Sequence, residues 1–256
     1  NSQATCATAL QHKFTSVMMD GSLGIDGKTP SDYEYNVSVT AQVSALAHWM
    51  GASVEGEIGV LGKLKDRSDS RLLTDPDQAV AFARATGVDA LAIAMGTSHG
   101  AYKFDRKPDG EVLAMDLLEE IHRRLPDTHL VMHGSSSVPQ ELQDIMNKYG
   151  ADIPQTWGVP IEEIQRGIRH GVRKVNIDTD NRMALVGQIR RVLQEDRREF
   201  DIRNLVKPGM EAITKLSRQR LEDFGTAGKG SKIKVISMAD MAKRYQSGEL
   251  APKVRS

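Results

Sequence analysis

Two apolar runs in this sequence are each followed by a histidine and a glycine. The run LAIAM leads, after a short GTS segment, to His99-Gly100, and the run LVM leads directly to His133-Gly134. A helix-like stretch at 114–125 lies between them. This order of strand, helix and strand predicts a parallel sheet, and ligands bind at the carboxyl ends of strands in such sheets. Two histidines at equivalent places in adjacent units favour a functional site.

Carboxylates occur near the ends of two other predicted strands. Asp20 follows the apolar stretch 14–19, and Glu57 lies in the alternating stretch 53–59, which carries two carboxylates on one face. Hydrogen bonding at a strand end explains either carboxylate when it is considered alone. Two histidines with a carboxylate, however, are a common ligand set for catalytic zinc. As a set, His99, His133, Glu57 and Asp20 therefore predict a metal site.

Two loops of small and polar residues could bind an anion. Each follows a predicted strand and precedes a predicted helix, where backbone N–H groups and the helix terminus favour negative charge. Ordinary helix capping by Ser137 or Thr179 explains either loop alone about as well. The candidate residues in these loops are Gly134, Ser135, Ser136, Asn176, Ile177, Asp178 and Thr179.

Five predicted strands alternate with helices along residues 14–195. Such alternation indicates βαβ units and a parallel sheet. Five strands could form an open doubly wound sheet, but no G-x-G-x-x-G or G-x-x-x-x-G-K-[ST] motif follows any of them, which removes the usual nucleotide fingerprints. A barrel needs eight strands, so in that interpretation three lie outside this sequence. The later pattern predicts a helix at 208–224, a glycine-rich linker at 225–231 and a short helix at 238–245.

The composition excludes several classes of protein. The formal net charge is zero and aromatic residues make up 5% of the chain, which disfavours a nucleic-acid surface. No apolar run approaches the roughly 20 residues of a membrane span. The single cysteine, Cys6, excludes an intrachain disulfide and predicts a cytoplasmic protein. Because the chain opens with Asn-Ser-Gln rather than Met, we expect upstream sequence to precede it.

Four motifs together resemble one enzyme family. VEGEIG, TSHGAYK, VMHGSSS and KVNIDTD are similar to motifs of the class II, zinc-dependent fructose-1,6-bisphosphate aldolases, in particular the branch of Calvin-cycle and related bacteria. The resemblance implies a (β/α)8 TIM barrel, with about five of the eight strands in residues 1–200. It also implies a C-terminal helical extension, 201–256, packed on the barrel, and a homodimer or homotetramer.

The resemblance also implies roles for individual residues. His99 and His133 match zinc ligands, and Asp20 and Glu57 match a second, buried metal position; the family also allows a monovalent cation. Arg203 matches an arginine that binds one substrate phosphate, although Ile202 stands where the family has proline. The residues that match the site of the dihydroxyacetone phosphate moiety, together with a lysine near its phosphate, are Gly100, Lys103, Gly134, Ser135, Ser136, Asn176, Ile177, Asp178 and Thr179.

Two features of the family have no match here. Its His-x-Asp-His motif, which supplies a third zinc ligand and the proton donor, precedes the segment that matches Asn1. Its long acidic loop corresponds to residues 59–73, which read GVLGKLKDRSDSRLL and are short and basic. The aligned family motifs therefore predict an incomplete set of catalytic groups in the sequence as written.

The resemblance implies reversible cleavage of fructose 1,6-bisphosphate to dihydroxyacetone phosphate and glyceraldehyde 3-phosphate, as in glycolysis, gluconeogenesis and the Calvin cycle. Zinc would act as a Lewis acid, and Asn176 would stabilise the enediolate. Three alternatives remain open at this point. They are the same chemistry on tagatose or sedoheptulose bisphosphate, a metal-free aldolase with Lys103 as a Schiff base, and an inactive remnant that binds phosphate esters.

Overall fold

The structure, a computed structural model, describes residues 2–26, 28–59, 73–97, 104–109 and 111–255. Within these residues five strands form one sheet in the order β1-β2-β3-β4-β5, and each neighbouring pair is parallel. Parallel strands that pair in chain order, with helices between them, are the arrangement of consecutive units of a (β/α)8 barrel. The predicted α/β fold is confirmed. The strands are β1 (Ser16–Met19), β2 (Ser53–Ile58), β3 (Ala90–Ile93), β4 (His129–Met132) and β5 (Val172–Val175).

Several helices begin at a residue whose side chain caps the first turn. Ser2, Asp32 and Asp75 each accept a hydrogen bond from a backbone N–H group in the first turn of a helix. No helix among the described residues has both the length and the apolar character that crossing a membrane requires. The helices are α1 (Gln3–Gln11), α2 (Tyr33–Trp49), α3 (Pro76–Thr86), α4 (Met115–Arg124), α5 (Gln140–Lys148), α6 (Ile161–Arg169), α7 (Thr179–Glu195), α8 (Ile202–Asp223) and α9 (Met238–Gln246).

The two faces of the sheet differ in chemistry. Along each strand, side chains alternate between the faces. One face belongs to the main hydrophobic core, in which Val54, Leu91 and Leu130 are buried with the helix residues Phe82 and Leu118. The opposite face carries Glu55 and Glu57 of β2, which align with the small Ala90 and Ala92 of β3. Beyond these alanines the register continues to His129 and Val131 of β4. This polar face leads to the carboxyl edge of the sheet.

A register shift interrupts the pairing of β4 with β5. Leu130 aligns with Val172, but Val131 aligns with Lys174, so Arg173 is an extra residue on β5. Bulges of this kind redirect the side chains that follow them. The shift places Lys174 on the polar face of the sheet.

Helix α8 begins earlier than the sequence predicts. We expected a helix to start at Pro208, because proline has no N–H group to donate and usually marks a first turn. Instead α8 begins at Ile202, with Asp201 as its N-cap, and Pro208 lies inside the helix. The helix continues past proline because it packs closely on α7: a Cβ atom at Gly209 would lie 2.4 Å from Leu185 Cδ1.

Helix α9 contacts the amino-terminal side of the sheet. The Tyr245 hydroxyl donates to Asp89 Oδ1 at 2.8 Å, and its ring stacks on His48 with centroids 3.9 Å apart. Asp89 Oδ2 in turn accepts from the backbone N–H of Val54 at 2.7 Å. Helix α8 contacts α7 and helix α9 contacts α2, while the division of the chain into 1–200 and 201–256 stays a prediction.

Candidate active site

His133 lies between two glutamates at the carboxyl edge of the sheet. Its Nε2 atom is 2.7 Å from Glu55 Oε1, and its Nδ1 atom is 3.1 Å from Glu57 Oε2. All three side chains are buried. Both carboxylates come from β2 and the histidine directly follows β4, so the side chains meet across β3. The alanines of β3 that face them, Ala90 and Ala92, leave the room for this contact.

Lys174 extends this cluster from β5. Its Nζ atom lies 2.6 Å from Glu55 Oε2. Strands β2 and β5 are three strand spacings apart, which would be about 14 Å in a flat sheet. Curvature of the sheet and the length of the two side chains bring the charges together. Glu55 is thus hydrogen-bonded by Lys174 on one oxygen and by His133 on the other.

The contacts in this cluster control its protonation. Burial opposes the positive charge of His133, but the hydrogen bonds to Glu55 and Glu57 outweigh it and raise the pKa of the imidazole to about 9. Burial also tends to raise the pKa of Glu55, whereas hydrogen bonds from His133 and Lys174 hold that pKa below its usual range. The cluster therefore pairs the negative Glu55 carboxylate with a positive His133 imidazolium.

Asp20 lies at the end of β1, next to β2. Its Oδ1 atom accepts hydrogen bonds from the Ser22 N–H group at 3.0 Å and from the Ser22 hydroxyl at 2.5 Å. The neighbouring Gly21 packs against Asn36, whose side-chain amide donates to the backbone carbonyl of Glu57 at 2.8 Å. The carboxyl ends of β1 and β2 are therefore linked through Asn36, which the sequence did not single out.

The loop after β4 contacts the start of α7. The Ser136 hydroxyl oxygen accepts from the backbone N–H groups of Asp178 and Thr179, both at 3.2 Å. The Ser135 N–H donates to the carbonyl of Asn176, which joins the two predicted anion-binding loops. Asn176 is half-buried and Asp178 is exposed. A serine hydroxyl therefore caps α7 at the place where we predicted an anion.

Two charged residues beneath this loop were not identified from the sequence. Asp180, in the first turn of α7, is fully buried and accepts from the backbone N–H groups of Ser137 and Val138. Arg220, on α8, lies beside Asp180, with Nη2 3.4 Å from Oδ2. Asp180 carried a weak signal, as a second aspartate in the NIDTD motif. Arg220 carried none, because its partner is distant in the chain.

The structure does not place every predicted site residue in this cluster. Arg203, at the start of α8, is exposed and forms a salt bridge with Asp201 in which Nη2 lies 2.5 Å from Oδ2. The predictions for His99, Gly100 and Lys103 lie outside the described residues. Among the residues that are described, no group of three or more His, Cys, Asp or Glu side chains is arranged to hold a metal ion. Glu55 and Glu57 instead each bind His133.

A sequence model of one family, Fructose-bisphosphate aldolase class-II, matches residues 1–229. The chain belongs to the class II fructose-bisphosphate aldolase family. Glu57 and His133 therefore lie at the carboxyl edge of a class II aldolase sheet. The resemblance inferred from the four motifs is confirmed.

Named relatives agree with this assignment. The chain is 64% identical to "Fructose-bisphosphate aldolase 2" of Cereibacter sphaeroides, a match that covers 99% of this chain and 75% of that protein. It is 61% identical to the fructose-bisphosphate aldolase of Rhizobium meliloti, over 99% of this chain and 74% of the relative. The first alignment spans 267 positions, more than the 256 residues of this class II aldolase, so that relative has residues without a counterpart here.

Solved structures show the same fold. The YdjI aldolase from Escherichia coli K12 superimposes with a TM-score of 0.63 at 24% identity, covering 90% of this chain and 68% of that one. The fructose-bisphosphate aldolase of Campylobacter jejuni gives a TM-score of 0.57 at 20% identity, over 88% and 65% of the two chains. These similarities support the TIM-barrel assignment for the class II aldolase chain.

Proposed function

We propose that this class II aldolase reversibly cleaves fructose 1,6-bisphosphate into dihydroxyacetone phosphate and glyceraldehyde 3-phosphate, with zinc as cofactor. The observation that carries the proposal is the position of His133 between Glu55 and Glu57 at the carboxyl edge of the sheet. Membership of the aldolase family indicates the reaction, and the side chains of this cluster are chemically suited to it. The same reaction serves glycolysis, gluconeogenesis and the Calvin cycle.

The residues present fit a zinc ion in their donor chemistry. A metal-ligating histidine commonly donates its second ring N–H to a carboxylate, and Glu55 occupies that position on Nε2 of His133. The Nδ1 atom is then the nitrogen left for a metal, and it lies beside the Glu57 carboxylate. We propose His133, Glu57, Asp20 and His99 as the residues that hold zinc or a second divalent ion. A monovalent cation at the substrate site is a further part of the proposal.

When bound, zinc supplies Lewis acidity to the ketose carbonyl. The residues of the chain position the substrate around that carbonyl. Asn176 is held in place by backbone hydrogen bonds to Met132 and Ser135, and we propose that its side-chain amide donates to the oxygen on which negative charge develops. Preorganised donors of this kind stabilise the transition state more than the ground state.

The loop after β4 and the start of α7 are proposed to bind one phosphate group. A phosphate oxygen carries more negative charge than the Ser136 hydroxyl, so it is the stronger acceptor for the N–H groups of Asp178 and Thr179. The other residues proposed for this subsite are Gly100, Lys103, Gly134, Ser135, Asn176 and Ile177. Arg203 is proposed to bind the second phosphate, which requires it to leave its salt bridge with Asp201.

We further propose a homodimer or homotetramer in the cytoplasm. Several large apolar residues on and near α8 are exposed, among them Phe200, Ile202 and Met210, and burial of such side chains is a common basis for subunit contacts. Cys6 is a buried free thiol, as expected of a protein in a reducing compartment. Light scattering coupled to gel filtration measures the number of subunits.

The test is the rate of fructose 1,6-bisphosphate cleavage before chelation, after chelation and after zinc add-back. We expect activity to disappear with chelator and to return with zinc. His133→Ala should abolish both activity and zinc retention, whereas His12→Ala, at an exposed histidine, should leave both unchanged. Chelator-resistant activity that borohydride traps in the presence of substrate would show a Schiff-base aldolase instead. Folded, zinc-loaded protein without cleavage activity would overturn the proposal.

A further inference from the structure

Asp180 is a buried carboxylate that supports the loop after β4. Its Oδ2 atom accepts from the Ser137 N–H at 3.1 Å, and its Oδ1 atom accepts from the Val138 N–H at 2.9 Å. The side chain has no exposed surface. Both carboxylate oxygens are therefore directed at the backbone of one short turn, immediately after Ser136.

The turn that Asp180 supports has an unusual backbone. Val138 has φ of 48°, in the left-handed region that a β-branched residue rarely adopts. Such a conformation persists only where surrounding contacts compensate for its cost. Here the hydrogen bond from the Val138 N–H to Asp180 is one of those contacts. The orientation of the loop consequently depends on Asp180.

Arg220 provides the opposite charge for Asp180. Its side chain is 13% exposed, and Nη2 lies 3.4 Å from Asp180 Oδ2 while Nη1 lies 2.9 Å from Asp223 Oδ2. A buried carboxylate is costly unless it is paired and hydrogen-bonded. Because Arg220 belongs to α8, the C-terminal extension contributes directly to the support of the loop.

We infer that Asp180 and Arg220 are positioning residues for the phosphate subsite. Arg220 places the Asp180 carboxylate, and Asp180 sets the turn at Ser137 and Val138. This turn orients the Ser136 side chain and the neighbouring backbone toward the start of α7. The inference rests on the proposed function, since it assigns the ligand of this loop as a phosphate ester.

The test uses the zinc-loaded full chain and inorganic phosphate as the probe. Asp180→Asn keeps the shape of the side chain but directs an NH2 group at one of the two backbone N–H groups. We expect the dissociation constant of phosphate, measured by titration calorimetry, to rise about tenfold. The KM for fructose 1,6-bisphosphate should rise similarly, while kcat changes much less and bound zinc is unchanged.

Variants of Arg220 test whether this residue positions the Asp180 carboxylate. Arg220→Met should weaken phosphate binding, and Arg220→Lys, which keeps the charge, should restore part of it. Arg218→Met is the matched control, because Arg218 is an exposed arginine on the same helix. If Asp180→Asn does not fold, the Arg220 variants carry the test alone.

The outcomes separate this inference from the proposed function. Wild-type protein that binds phosphate but does not cleave fructose 1,6-bisphosphate would overturn the proposed function. It would leave standing the assignment of the loop after β4 as a phosphate subsite. Unchanged phosphate binding in Asp180→Asn and Arg220→Met, with only a lower melting temperature, would show a purely structural role and overturn the inference. Wild-type protein that binds no phosphate would overturn it as well.

Discussion

The Oε1 atom of Glu55 lies 2.7 Å from the Nε2 atom of His133, with both side chains buried. The two residues are 78 positions apart in the chain: Glu55 belongs to β2 and His133 directly follows β4, a strand that does not pair with β2. The contact fixes the orientation of the imidazole ring and leaves its other nitrogen beside Glu57. Glu55 therefore orients a proposed metal ligand without being predicted as a ligand itself.

Glu55→Gln should weaken zinc binding. Glutamine still offers one oxygen to His133 but loses the negative charge that increases the basicity of the ring. Loss of such a partner lowers metal affinity by roughly 10- to 100-fold. Competition with a chromogenic chelator measures the change. Glu141→Gln, at an exposed position on α5, should have no effect, and equal zinc affinity in the two variants would contradict the prediction.

Lys174→Met should also weaken zinc binding, but less. Methionine keeps most of the apolar length of lysine and removes the charge that lies 2.6 Å from Glu55. Glu55 would then be free to turn away from His133, so we expect about a threefold to tenfold loss of zinc affinity. Lys174→Arg should retain most of the affinity. A zinc dissociation constant for Lys174→Met equal to that of the wild type would count against this contact.

Gly158→Ala should displace the loop after β4. A Cβ atom at this position would lie 2.2 Å from the Ser136 carbonyl oxygen and 2.4 Å from the Ser137 carbonyl carbon, and neither backbone atom can move aside cheaply. We expect a loss of about 1–3 kcal/mol in the free energy of unfolding and a higher KM.

The matched control for that substitution is Gly230→Ala, because no atom lies within 4 Å of a Cβ placed there. Urea denaturation and steady-state kinetics on both variants separate the two effects. A Gly158→Ala protein as stable as the Gly230→Ala protein would show that the loop accommodates the methyl group.

Tyr245→Phe should loosen α9 from the sheet. The Tyr245 hydroxyl donates to Asp89 Oδ1 in a half-buried position, and burial together with Asp89 raises the pKa of the tyrosine. A hydrogen bond to a charged partner contributes about 1.5–3 kcal/mol. Tyr149→Phe removes a similar bond, to Glu195, at the exposed surface, where we expect about 0.5 kcal/mol or less. Equal free energies of unfolding for the two variants would refute the prediction.

Much of the local structure could be predicted from the sequence. Asp75 and Pro76 mark the start of α3 because an acceptor and a residue without an N–H group both suit a first helical turn. Short apolar runs located β1, β3 and β4, and the alternating pattern of residues 53–59 located β2. The predicted start of α8 at Pro208 was wrong, because contact with α7 outweighs the local effect of this proline.

The candidate site was predicted only in part. His133 and Glu57 were identified and do lie together, because parallel strands bring their carboxyl ends to one edge. Asn36 and Asp180 were not identified, since both are buried polar residues whose partners are backbone atoms of distant loops. Asp180 carried only the weak signal of a second aspartate in NIDTD, and no local pattern distinguishes Asn36 from an ordinary polar position.

The sequence by itself determined the order of strands and helices, the family and the strand ends that carry polar groups, because these depend on periodicity and on short motifs. Only the tertiary structure decided that Lys174 reaches Glu55 across two strands and that Arg220 lies beside Asp180. Both contacts join segments that are distant in the chain. They depend on the register shift in β5, the curvature of the sheet and the packing of α8 on α7, which arise only when all the elements pack together.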